Sequence, residues 1–226
     1  IILSNGYFMK SSFNISLQKA MVMRKLWLLS LLIAPLWASA AVTNEFTLAN
    51  GLKVVVREDH RSPVVVTQAW YKVGSAYEST GSTGISHALE HMMFKGTSKV
   101  PAGEFSRLVA YFGGEDNAFT TDDYTAYYQL YSNNRLPLAI ELEADRMANL
   151  QLKEEDFKQE IRVVMEERRQ RTDDSPQGIA LERFQAVAML TTPNRNPTIG
   201  WMSDLENMSV DELKKWYQTW YAPNNA

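Results

Sequence analysis

The chain has 226 residues, 45% of them hydrophobic and 22% charged, with no cysteine and a formal net charge of −3. The length suits one large domain or two small ones, and the missing cysteines exclude a disulfide framework and any thiolate metal site. The first 40 residues hold four basic side chains and no acidic one, which leaves 19 basic against 26 acidic residues in the remainder; that acidic excess argues against nucleic acid as a partner.

Residues 1–22 show no clear periodicity and read as a segment upstream of the native start. Met23-Arg24-Lys25 then opens a basic region, an apolar run follows over residues 26–37, and Ala38-Ser39-Ala40 supplies small residues at a cleavage site. Together residues 23–40 read as a secretory signal peptide, and a periplasmic location is expected. The apolar run is shorter than the ~20 residues needed to cross a bilayer. No stable membrane span is therefore expected after cleavage, and an uncleaved signal would act as an anchor.

In the mature part, residues 41–226, the strand-forming stretches 45–48 and 52–57 flank Asn50-Gly51 and predict a hairpin. Residues 64–73 are β-branched and aromatic, long enough for a central strand. Gly74, Gly81 and Gly84 punctuate the next loop, but their spacing is not that of a phosphate-binding loop. A helix is predicted from Ile85 to Phe94, with Gly96 as its stop. A short helix over 101–111 ends at Gly113-Gly114, and strands follow over 117–120 and 124–131. Amphipathic helices are predicted over 136–150 and 154–171, with another running from Ser175-Pro176 to about Leu190. Ser209 and Glu212 form a capping box for a last helix through Trp220. In that helix Trp216, Tyr217, Trp220 and Tyr221 recur at helical spacing, as core aromatics do. Strands, a helix, strands and then helices describe an α+β fold, with helices packed over a mostly antiparallel sheet.

The chemistry concentrates in Gly84-Ile85-Ser86-His87-Ala88-Leu89-Glu90-His91-Met92-Met93-Phe94, which holds two of the three histidines. On a helix, residues i and i+4 lie one above the other with i+3 at their border. His87 and His91 can then face one metal ion with Glu90 beside it, the H-x-x-E-H arrangement. A catalytic zinc site needs a third protein ligand. The candidate stretch is Glu160-Ile161-Arg162-Val163-Val164-Met165-Glu166-Glu167, in which Glu160 and Glu167 are two helical turns apart on one face. Val163 and Val164 lie between them on a side that can pack inward. Read without a metal, the same acids belong to a solvated, salt-bridged helix rich in arginine. His60, in a turn-like stretch, is expected to be exposed, which speaks against a closed four-ligand structural zinc site.

These stretches, continued by Lys95-Gly96-Thr97 and joined by Asn117-Ala118-Phe119-Thr120 and Asp123-Tyr124-Thr125-Ala126-Tyr127-Tyr128, resemble one family. It is that of the zinc peptidases including pitrilysin, insulin-degrading enzyme and the mitochondrial processing peptidase, and the likeness is greatest to its shorter bacterial members. The resemblance runs from about Thr43 to the C-terminus. It implies one Zn2+ held by His87, His91 and Glu167, with Glu90 as general base and Glu160 as a supporting acid. Glu166 adjoins Glu167, and the seven-residue spacing from Glu160 favours Glu167. It further implies that Asn117, Ala118 and Phe119 pair with the backbone of a peptide substrate by β-augmentation; without it, Asn117 reads as a turn residue and Phe119 as a core aromatic. The implied fold is the same α+β layer. A second homologous domain or subunit is implied to complete the chamber, with residues 41–226 an N-terminal peptidase domain incomplete at its C-terminal end. The function implied is that of a zinc-dependent endopeptidase acting on peptides or small unfolded proteins. The alternative is a non-catalytic partner subunit, a kind that usually lacks the metal ligands present here.

Overall fold

The computed structural model describes residues 43–226; the expected upstream segment and signal peptide lie outside the described residues. Strands β1 (Thr43–Thr47) and β2 (Lys53–Arg57) pair antiparallel, Thr43 opposite Arg57 and Thr47 opposite Lys53. The expected turn closes them. Gly51 sits at φ +90°, where a side chain is strained, and Leu52 N donates to the Asn50 side chain.

A second antiparallel sheet has the order β3-β5-β4, from β3 (Val64–Tyr71), β4 (Glu115–Thr120) and β5 (Thr125–Ser132). The sequence marks β3 as central, but β5 takes that place and β3 lies outside it. The burial of the strands gives the reason. Thr125, Ala126, Tyr127, Gln129 and Tyr131 of β5 are buried, whereas Val64 and Val66 of β3 remain half exposed. An apolar run marks a strand but not its neighbours, because sheet order is set by contacts distant in sequence. Asn225 and Ala226 accept hydrogen bonds from Lys72 N and Lys53 N, which brings the end of the described chain between β2 and the end of β3.

Seven helices accompany the strands among the described residues: α1 (Ile85–Met92), α2 (Glu104–Tyr111), α3 (Leu136–Asn149), α4 (Glu154–Arg168), α5 (Pro176–Ala188), α6 (Met202–Asn207) and α7 (Val210–Trp220). The six-residue α6 has no counterpart in the sequence reading. Helix α4 gives way at Arg169–Asp173 to a π-helical turn, earlier than its charge pattern predicts. Ser209 and Glu212 form the expected capping box at the start of α7.

The main core packs Leu89 and Met92 of α1 against Tyr71, Tyr127, Val164 and Leu213, all fully buried. Burying a leucine of this kind contributes about 1.5–3 kcal/mol. A smaller cluster around Phe105, Val109 and Tyr131 adjoins it. Between the two, buried Arg146 places its guanidinium over Phe105, Tyr127 and Phe94 and pairs with Glu143. The expectation that both valines of α4 turn inward holds for Val164 alone, since Val163 is half exposed. Adjacent helical residues are about 100° apart and rarely share a face. No helix of the described residues is long and apolar enough to cross a membrane.

Candidate active site

Helix α1 carries His87, Glu90 and His91, and its entry is built with unusual care. Its N-cap residue is Gly84, at φ +85° and with no side chain to cap the helix. The acceptor comes from the preceding loop instead. Glu78, almost fully buried, takes hydrogen bonds from Gly84 N (2.7 Å) and Ser86 N (2.8 Å), one on each carboxylate oxygen. Losing that acceptor would leave two buried amides unmet, at about 1–3 kcal/mol each. Burial pushes the Glu78 carboxyl up to about 7, with the two backbone N–H groups opposing the shift. A second tether comes from Asp204 of α6, which accepts from Thr83 N and Thr83 Oγ1.

The chain at Ile199-Gly200 crosses directly over this entry. A Cβ on Gly84 would lie 2.5 Å from Ile199 O, and one on Gly200, at φ +87°, would lie 2.4 Å from Thr83 O. Neither position accepts a side chain. Buried Arg168, at the end of α4, donates to Gly200 O (2.9 Å) and to Glu182 (2.7 Å), so the same crossing also holds the second functional helix.

Helix α4 lies against α1 and presents Glu160 and Glu167 to it. One donor atom each from His87, His91 and Glu167 falls within a 4.8 Å cluster. Glu167 Oε2 is 3.4 Å from His91 Nε2 and 3.7 Å from His87 Nε2. Ligands at ordinary zinc bond lengths in a tetrahedral shell stand about 3.3–3.5 Å apart, so this donor set fits a zinc ion. Glu166 does not join it; its side chain is half exposed and pairs with Arg169. Glu160 Oε2 is 3.3 Å from His91 Nδ1, while its other oxygen is 2.5 Å from Lys95 Nζ. A carboxylate behind a ligating imidazole fixes the ring's tautomer and raises its basicity. His87 Nδ1 is buried and has no such partner among the described residues. On the outer side, Glu167 Oε1 pairs with Arg171 Nη1 (2.7 Å).

The two imidazoles differ in their affinity for protons. Burial brings His87 down to about 3, helped by the charges of His91 and Arg171. Burial works in the same direction on His91, but the Glu160 hydrogen bond and the charges of Glu167, Glu90 and Glu160 outweigh it and hold His91 above its usual value. Metal binding requires both rings neutral. With His87 held low and His91 held high, His91 is the ring with a proton to release. We expect zinc affinity to fall about tenfold per pH unit, the slope for one proton, as pH drops below the raised His91 value, and to be flat above it. Competition titrations with a chromophoric chelator across pH measure this, and a hundredfold change per unit would mean that both rings compete.

Glu90 turns from the same helix toward β4. Burial raises its affinity for a proton, and the hydrogen bond from Thr120 opposes this. Asn117 and Phe119 point to the exposed side of β4, and Phe119 packs edge-on against Trp70. Ala118 N donates to the Asn117 side-chain oxygen (2.8 Å). Strand β4 has β5 on one side and no strand on the other among the described residues, so it offers a free edge near α1. His60 is exposed in its loop, as expected, and stands apart from this cluster.

An α+β domain presenting H-x-x-E-H on one helix and a carboxylate on another that packs against it has the arrangement of the inverted zinc-peptidase motif. The chain belongs to the insulinase family, peptidase family M16, whose model matches residues 53–200. It is 41% identical over 212 residues to the zinc protease PqqE of Helicobacter pylori, covering 91% of this chain and 48% of that protein. With the uncharacterized zinc protease YmxG of Bacillus subtilis it shares 30% identity over 181 residues, 80% of this chain and 44% of the relative. The crystal structure of a protease from Helicobacter pylori superposes with a TM-score of 0.80 at 41% identity, over 82% of this chain and 45% of the other. The periplasmic protease PqqL from Escherichia coli shares the fold, with a TM-score of 0.73 at 24% identity over 82% of this chain and 22% of that one. The chain thus spans about half the length, or less, of the relatives it matches.

Proposed function

We propose that this chain is the metal-bearing half of a zinc-dependent endopeptidase, with His87, His91 and Glu167 as ligands and Glu90 as general base. The observation that carries this reading is the convergence of three donor atoms within 4.8 Å beside a carboxylate on the same helix. Zinc, when bound, supplies Lewis acidity that polarises the scissile carbonyl and acidifies water. Glu90 accepts a proton from the attacking water and returns it to the leaving amine nitrogen. Its raised proton affinity, caused by burial, suits a group that takes and then gives a proton. Glu160 orients His91, and the hydrogen bonds from His91 and then Lys95 hold the Glu160 carboxyl below its usual value against the effect of burial. The free edge of β4 at Asn117, Ala118 and Phe119 takes the substrate backbone as an added strand, for which the Asn117 side chain must release Ala118 N.

A second homologous domain or subunit completes the chamber in this reading, consistent with the partial coverage of every relative described above. Export to the periplasm through residues 23–40 belongs to the same proposal. A complete donor set with a base beside it favours the enzyme over a non-catalytic partner subunit. The test is zinc content and peptide cleavage by the full-length mature protein. One zinc per chain with chelator-sensitive cleavage is expected. Zinc with no cleavage of any peptide would favour the non-catalytic subunit, and absence of zinc would refute the ligand assignment.

A further inference from the structure

To act as a base, Glu90 has to be aimed. A glutamate side chain has three rotatable bonds, and a general base works only when its oxygen is held close to the productive geometry. Among the described residues the single hydrogen-bond partner of its carboxylate is the hydroxyl of Thr120, which donates to Glu90 Oε2 at 2.5 Å. We infer that Thr120 is a positioning residue for the general base, through the hydroxyl that ties the end of β4 to Glu90. The inference rests on the peptidase reading above.

The geometry of β4 supports it. Side chains alternate along a strand, so Ala118 and Thr120 turn inward while Asn117 and Phe119 turn out, as their burial confirms. Thr120 is the last residue of β4 and stands opposite Thr125 in the ladder. The turn beyond it is firmly held. Thr121 Oγ1 accepts from Tyr124 N and donates to Tyr124 O, while Thr121 O and Asp122 O accept from Ser75 N and Ala76 N. The backbone that carries the hydroxyl therefore has little freedom, and the branched Cβ of threonine restricts χ1 further. The hydroxyl has no other partner among the described residues. Glu90 Oε1 carries no hydrogen bond there either, so one oxygen is anchored and the other is left for the reacting water.

This placement has a consequence for catalysis. The strand proposed to receive the substrate backbone and the hydroxyl that aims the base are one continuous piece of chain, three residues apart from Asn117 to Thr120. A peptide docked along the β4 edge thereby registers its scissile bond against the group that deprotonates water.

The test compares Thr120→Val, Thr120→Ser and wild type as full-length, zinc-loaded protein. Valine keeps the shape and removes the donor; serine keeps the donor. We expect kcat to fall about 10- to 100-fold in Thr120→Val, the loss that a misplacement of about 1 Å can bring. KM and zinc affinity should stay within about twofold, and Thr120→Ser should recover most of the rate. Crystal structures of the metal-free proteins give a readout without activity: one Glu90 rotamer in wild type and in Thr120→Ser, several in Thr120→Val. An unchanged kcat in Thr120→Val with an active wild type would overturn the inference and leave the peptidase reading intact. A loss shared by zinc affinity or KM would also overturn it, by assigning Thr120 to the metal site or the substrate groove. A wild type that binds zinc and cleaves nothing would overturn both.

Discussion

Replacing Glu90 by glutamine should leave one zinc bound and lower peptide hydrolysis by about 10²–10⁴-fold, the usual contribution of a positioned acid–base group. Glutamine keeps the length and the capacity to accept from Thr120, so the hydrogen bond at 2.5 Å has a partner in the variant. What is lost is the basic oxygen. Since Glu90 is not among the three clustered donors, zinc content should not change. Metal analysis and steady-state kinetics on the same preparation separate these effects. Cleavage at the wild-type rate would remove Glu90 as the base, and loss of zinc would make it a ligand.

The second large effect is expected at the paired acids of α4. Glu167→Ala should weaken zinc binding by more than the roughly 10- to 100-fold typical of a residue that merely supports a ligand, whereas Glu166→Ala should leave it unchanged. The two carboxylates are one residue apart, and only the direction of their side chains differs. Glu167 faces both imidazoles at 3.4 and 3.7 Å; Glu166 faces solvent and Arg169. Glu167→Ala also frees Arg171, its partner on the outer side, and brings no buried charge of its own. Chelator competition on both variants decides the register, and equal losses would place the metal between the two acids.

How much of this was legible beforehand depends on the range of the interactions. His87, Glu90 and His91 are readable because helical periodicity is local, and the same holds for the Glu160–Glu167 spacing, the Asn50-Gly51 turn and the Ser209–Glu212 box. The place of β3 was not readable, since a strand's neighbours come from distant segments and Val64 looks the same in the middle of a sheet as outside it. Nor was Glu78. A helix cap is sought at the residue before the helix, and here glycine holds that position while the acceptor arrives from six residues upstream of it. The role inferred for Thr120 depends on which face of β4 turns inward, a register that the motif does not reveal. The burial of Arg146 against Phe105 and Tyr127 is likewise set by contacts distant in sequence. Helix α6 is short, and the Asp204 side chain in its first turn is spent on Thr83 rather than on capping its own helix.

The crossing of Gly84 and Gly200 bears on when, during synthesis, a metal can be held. The entry to the histidine helix is covered by a segment more than a hundred residues later in the chain, and Arg168 fastens the glutamate helix to that same segment. On the proposed ligand assignment, a chain that stops short of Gly200 would carry all three ligands without the contacts that tie their two helices to one segment.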